Sequence, residues 1–163
     1  MVFFRIKKIK GKEYAYIVEN KWTRKTSRQK VKGYLGRAYR FDLTNNADFS
    51  EYFKIENFND YIEINQKNKI ISDLIEWELY RFNINKNEFS IDLNNKKIQK
   101  NDKNVAFLIN EGFMCGFTLK NLLDFKPEGD EQDEGYRLAR VFVEAGIKVP
   151  QEIFIGLFGK IYK

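Results

Sequence analysis

The sequence predicts an α+β protein: an N-terminal three-stranded antiparallel meander, a central helix and hairpin, and three short C-terminal helices. Three observations carry that expectation. Residues 2–35 are β-branched, aromatic and basic side chains cut by short polar turns. Residues 66–82 place apolar side chains at helical spacing. Residues 118–163 hold three helical patterns punctuated by Pro127, Gly146 and Pro150. With 163 residues, 43% of them hydrophobic, the chain is long enough to bury a core without staples. A change in charge divides it into a basic β-meander, 1–41, and an α+β body, 42–163.

Taken in order, residues 2–9 (VFFRIKKI) read as a strand and Lys10 to Glu13 as a turn, with Gly11 free to take positive φ. Residues 14–22 (YAYIVENKW) read as a second strand, 23–27 as a polar basic connection, and 28–35 (RQKVKGYL) as a third strand ending at Gly36. Connections this short favour a meander. Residues 37–65 scatter Phe, Tyr and Ile among Asn, Asp and Glu without a clean period; they read as an irregular crossing with a short strand at 61–64. Ile70, Ile71, Leu74, Ile75, Glu78, Leu79 and Phe82 fall at helical spacing along the 66–82 helix, with Glu78 the one polar interruption of its apolar stripe. Asp73, Glu76 and Glu78 read as its solvated flank. Residues 88–93 and 96–99 flank Asn94-Asn95 as a hairpin, and 104–110 (NVAFLIN) read as a buried strand. Thr118 is the expected N-cap of a helix to Phe125. The acidic loop 128–134 leads into a helix to Ala145, with Gly146 as its stop. Pro150 opens the last helix.

Charge separates the two parts. Residues 1–40 carry 13 Lys and Arg against two Asp and Glu, in a chain whose net charge is only +6. Simple strand alternation puts Arg5, Lys7, Tyr14, Tyr16, Trp22, Arg28, Lys30, Lys32 and Tyr34 on one face. It puts Phe4, Ile6, Ala15, Ile17, Val31 and Leu35 on the other. The basic turn adds Arg24 and Lys25. Cations that neutralise phosphates, interleaved with rings that stack, are the residue types a nucleic-acid surface needs. The alternative is a solvated basic sheet whose Tyr14, Tyr16, Val18 and Trp22 form the core.

The pattern FFRIKK, KGKEYAYIVEN, RQKVKGYLGR resembles the N-terminal segment of DDE-type insertion-sequence transposases: a basic strand, a Gly turn, a Tyr-rich strand with V-E-N, and a basic strand closing on Y-L-G. More loosely it is similar to the three-stranded arm-binding modules of tyrosine recombinases. The resemblance covers about a quarter of the chain and implies DNA binding, in preference to RNA. The rest resembles only small uncharacterised archaeal proteins. It has no DDE triad and is too short for a transposase catalytic domain, so transposition is not implied.

Composition narrows the chemistry further. The chain has no histidine, which removes the commonest general base near neutral pH and every His-paired nucleophile. Any catalysis would need carboxylates, Lys, Tyr or Cys115, and metal-dependent nucleases and transferases working through carboxylates stay open, the nuclease foremost. Cys115, the single cysteine, lies amid apolar residues and reads as an inert buried thiol; its solitude fits a reducing, cytoplasmic compartment. The acids of 128–134 lack the spacing of a calcium loop and read as solvated and helix-capping, so neither a metal site nor a cofactor is expected. Met1 to Phe4 runs straight into Arg5, so no secretory leader is expected. No apolar run is long enough to span a bilayer. The expectation is therefore a non-catalytic nucleic-acid-binding protein, with a protein partner on the acidic body as an additional contact. The alternative is an interaction or structural subunit that docks an acidic partner on the basic sheet.

Overall fold

Lys10 and Gly11 both take positive φ, 51° and 79°, and this two-residue turn matches the twist of the strands it joins. It closes β1 (Val2–Ile9) onto β2 (Lys12–Trp22), and a turn at Thr23–Thr26 leads into β3 (Ser27–Arg40). The computed structural model describes residues 2–163. Three helices follow: α1 (Phe49–Phe53), α2 (Phe58–Ile64) and α3 (Lys67–Arg81). Next come β4 (Ser90–Asp92), β5 (Lys97–Lys100), β6 (Lys103–Ile109) and β7 (Gly112–Met114), and then α4 (Gly116–Leu123), α5 (Glu131–Glu144) and α6 (Gln151–Tyr162). The fold is α+β, with the antiparallel N-terminal meander and the C-terminal helices the sequence predicts.

All seven strands join one sheet, ordered β1-β2-β3-β6-β5-β4, with β7 also paired to β6. The meander is thus continuous with the body. β3 runs through Gly36 to Arg40, where the sequence pattern ended it, and its last four residues pair in parallel with Val105 to Leu108. Gly36 makes that pairing possible. Its φ is +118°, and a Cβ there would lie 2.1 Å from the carbonyl oxygen of Asn104.

Two cores lie on opposite faces of this sheet. The inner core is small: Ala15, Ile17, Leu35, Ala38, Ala106 and Cys115, closed over by Phe4, Ile6, Leu108 and Phe113. β1 and β7 reach over it from either side, with the ring of Phe4 in β1 stacked 5.2 Å from that of Phe113 in β7. The larger core lies on the outer face of β6. There Val105, Phe107 and Ile109 pack with Ile70, Ile71, Leu74 and Ile75 of α3 and with the apolar stripes of α4, α5 and α6. α3 is buried on more than one side, as a central helix is.

Several local expectations are corrected. Residues 61–64 belong to α2, because the Asn57 side chain accepts from the Asp60 N–H at 3.2 Å and starts a helix there. Thr118 is the third residue of α4 and not its cap. Its hydroxyl reaches back to the Cys115 N–H, 3.0 Å away, and donates to the Phe113 carbonyl at 2.6 Å. Gly112–Met114, to which the sequence pattern assigns no element, is a strand. Gly146 does end α5, with φ +73°.

The solvated flank of α3 is the largest correction. Glu78 is fully buried and Asp73 nearly so. Glu78 receives the Arg81 guanidinium at 2.6 Å and the Asn110 amide at 2.9 Å. Asp73 accepts from the Tyr61 hydroxyl at 2.7 Å and from Lys69 at 2.6 Å. Of the three acids only Glu76, paired with Lys86, faces solvent. Glu134, expected in the solvated acidic loop, is also buried and bonds Arg137.

Candidate nucleic-acid interface

β1 starts at Val2, opposite Glu19, and beyond that pair the described residues of the meander form two strands. Among the described residues Asn20 to Trp22 pair with Ser27 to Gln29 alone, and every residue from 21 to 32 is exposed. Little apolar burial holds this ribbon out. Its turn is fixed instead by Thr23, whose N–H and hydroxyl both reach the Thr26 carbonyl at 2.8 Å. It carries Lys21, Arg24, Lys25 and Arg28 and no acid, and Lys30 and Lys32 stand at its base beside Glu19. Trp22, at its end, is 81% exposed.

The second part of the surface is the outer face of the meander. Cross-strand pairs share a face, so Arg5 opposite Tyr16 and Lys7 opposite Tyr14 lie together. β3 adds Tyr34 opposite Tyr16 and Arg37 opposite Tyr14. The Tyr34 ring sits 5.1 Å from Tyr16 and 6.4 Å from Tyr14, and the Lys7 ammonium lies 4.8 Å over the Tyr16 ring. Arg5 donates to the Gln29 side chain at 2.7 Å. Partial burial, then the neighbouring Tyr16 and Tyr14, push the Tyr34 phenol pKa up. The only carboxylates of the meander, Glu13 and Glu19, fall on the opposite face, where they bond Arg40 at 2.8 Å and Lys32 at 2.9 Å.

The ten expected site residues therefore divide. Arg5, Lys7, Tyr14 and Tyr16 share the outer face, and Trp22 continues it along the ribbon. Arg24 and Lys25 occupy the turn. Arg28, Lys30 and Lys32 point to the other face, because β3 carries two bulges. Lys32 and Leu35 have no partner in β2, and the extra residue at Lys32 reverses the alternation beyond it. Arg28 comes to lie opposite Lys21 and Lys30 opposite Glu19, while Val31, expected inward, faces out opposite Val18. Lys21 crowds Lys30 and pulls its ammonium pKa down. Tyr14 and Tyr16 belong to neither core. Arg37, which the sequence pattern placed beyond the strand's end at Gly36, joins the same face opposite Tyr14; its guanidinium lies 4.9 Å from the Tyr39 ring.

The Cys115 thiol is buried, which raises its pKa, and it caps α4. Among the described residues no group of three or more His, Cys, Asp and Glu side chains is placed to hold a metal ion, and no helix is long and apolar enough to cross a membrane. Comparison with models of known families, with curated proteins and with solved structures gives no match.

Proposed function

We propose that this chain is a non-catalytic nucleic-acid-binding protein that acts on DNA through its N-terminal ribbon and the adjoining sheet face. The ribbon carries the reading: an exposed two-stranded projection with four cations, no acid and a solvent-exposed Trp22, with Lys30 and Lys32 at its base beside Glu19. A fold gains little from such a projection. Like charges crowd there, as Lys21 and Lys30 do; phosphates offset that repulsion with their own charge, and their condensed counterions are released on binding. A two-stranded ribbon is also narrow enough for the major groove. The preference for DNA over RNA rests on the transposase-like pattern of residues 3–37 alone.

The test is a titration of the full chain against duplex DNA at several salt concentrations. The expected result is a log–log salt slope of several units, each phosphate contact contributing about 0.9. Reversing Arg24, Arg28 and Lys30 to Glu abolishes binding at moderate salt. Wild-type affinity in that triple variant overturns the proposal. If the wild-type chain ignores nucleic acid and binds an acidic polypeptide, the interaction-subunit reading takes its place.

A further inference from the structure

The outer face of the meander has a property the ribbon lacks. Tyr14, Tyr16 and Tyr34 form a contiguous row of rings on a sheet surface that no helix covers. Tyr34, at its centre, is 56% exposed. The row contributes to neither core. Sheet positions open to water ordinarily carry polar side chains, and here three adjacent ones carry aromatic rings.

We infer that this row is a stacking platform for unpaired bases, so that the strand held on the outer face is single-stranded. The inference rests on the nucleic-acid reading above. A duplex keeps the π-faces of its bases inside its own stack and offers only edges and phosphates. Tyrosine rings gain from neither. An unpaired base has a free face, and stacking it on an aromatic side chain is favourable whatever the base. The platform's charge fits the same occupant. Arg5, Lys7, Lys12 and Arg37 belong to this face, and both meander carboxylates lie behind the sheet. Lys7 covers only Tyr16, which leaves Tyr34 open for a base with cations on either side for the flanking phosphates. Trp22, six residues further along the same face of β2, lies on the extension of the row.

Fluorescence-anisotropy titrations with an oligothymidylate of about 15 nucleotides, an oligouridylate and a duplex of equal length test the inference. The expected result is tighter binding of the single strands than of the duplex. Tyr34→Ala weakens single-strand binding about fivefold or more and leaves its salt slope unchanged, because it removes stacking and no phosphate contact. Tyr34→Phe retains the wild-type affinity. Lys7→Gln lowers the slope for single strands by about 0.7. Tyr34 is more than half exposed, so its truncation leaves both cores intact. Duplex binding as tight as single-strand binding, or a Tyr34→Ala variant indistinguishable from wild type, overturns the platform and leaves nucleic-acid binding standing. Failure of the wild-type chain to bind any of the three overturns both.

Discussion

The guanidinium of Arg81 meets the carboxylate of Glu78 at 2.6 Å, one turn apart on α3, and the pair is closed off from solvent. Glu78 also accepts from Asn110, which in turn holds the Gly146 carbonyl at 2.7 Å, so the pair ties α3 to the β6–β7 turn and the end of α5. Burial pushes the Glu78 carboxyl up, opposed by Arg81 and then Asn110. Arg81→Met strands the carboxylate and is expected to cost about 3–5 kcal/mol in urea denaturation at neutral pH. The sign of the pH effect follows. A carboxyl whose folded pKa is raised contributes stability below its unfolded pKa and loses it as pH rises. The variant should therefore recover toward about pH 4 and weaken above it. A pH-independent loss would rule out a stranded charge as the cause.

Glu134 gives the opposite slope. Arg137 bonds both of its oxygens, at 3.1 and 3.2 Å through Nε, and holds its pKa below the usual range. A depressed carboxyl contributes stability above its unfolded pKa and loses it as pH falls through the folded value. Thermal melts between about pH 6 and pH 3 should show Tm falling with pH, and Glu134→Gln should flatten part of that fall. Parallel Tm profiles for the two proteins would remove Glu134 from the acid limb.

Gly36→Ala should be among the most damaging single-methyl changes in the chain. The φ of +118° alone costs a side chain about 1–3 kcal/mol, and the new Cβ has no room beside the Asn104 carbonyl. Gly11→Ala, with positive φ but open space around it, should cost less. Equal midpoints in denaturant for the two variants would contradict the close β3–β6 approach.

Glu19 restrains the interface. It holds Lys32 at 2.9 Å, and Lys32 depresses its pKa in return. Glu19→Gln removes one negative charge from the ribbon's base and frees Lys32 for phosphate. Nucleic-acid affinity is expected to rise severalfold, with a salt slope steeper by up to about one unit. Lys32→Gln should cost less affinity than Arg28→Gln, which breaks no ion pair. The reverse order would place the contact elsewhere on the meander.

Periodicity made the long elements legible. The spacing of Ile70, Ile71, Leu74 and Leu79 gives α3, and the Gly and Pro punctuation gives α5 and α6. The meander was legible too, since the Lys10-Gly11 turn and the alternation of β1 and β2 survive unchanged. Alternation failed in β3 because a bulge is decided by tertiary pairing. Nothing in RQKVKGYL marks Lys32 as the extra residue, so Arg28 and Lys30 were assigned to the wrong face. Glu78 was legible only in part: helical spacing puts it in the apolar stripe but does not show its partners. Its burial depends on Asn110, which only the folded chain brings beside it. The electrostatic half of the candidate site was plain in the charge count; the partition into platform and ribbon was not.

The parallel pairing of Arg37–Arg40 with Val105–Leu108 sets a timetable for the nascent chain. The meander leaves the ribosome complete, yet its inner core stays open until β6 and β7 are made. At typical synthesis rates that interval is roughly 3–15 seconds. Throughout it β3 presents an unsatisfied strand edge, and Ile17 and Leu35 lack their lid. The dense positive charge of the ribbon then acts as a gatekeeper, because like-charged meanders on neighbouring ribosomes repel before they can pair. The same lysines and arginines that form the candidate binding surface would thus keep the unfinished chain soluble.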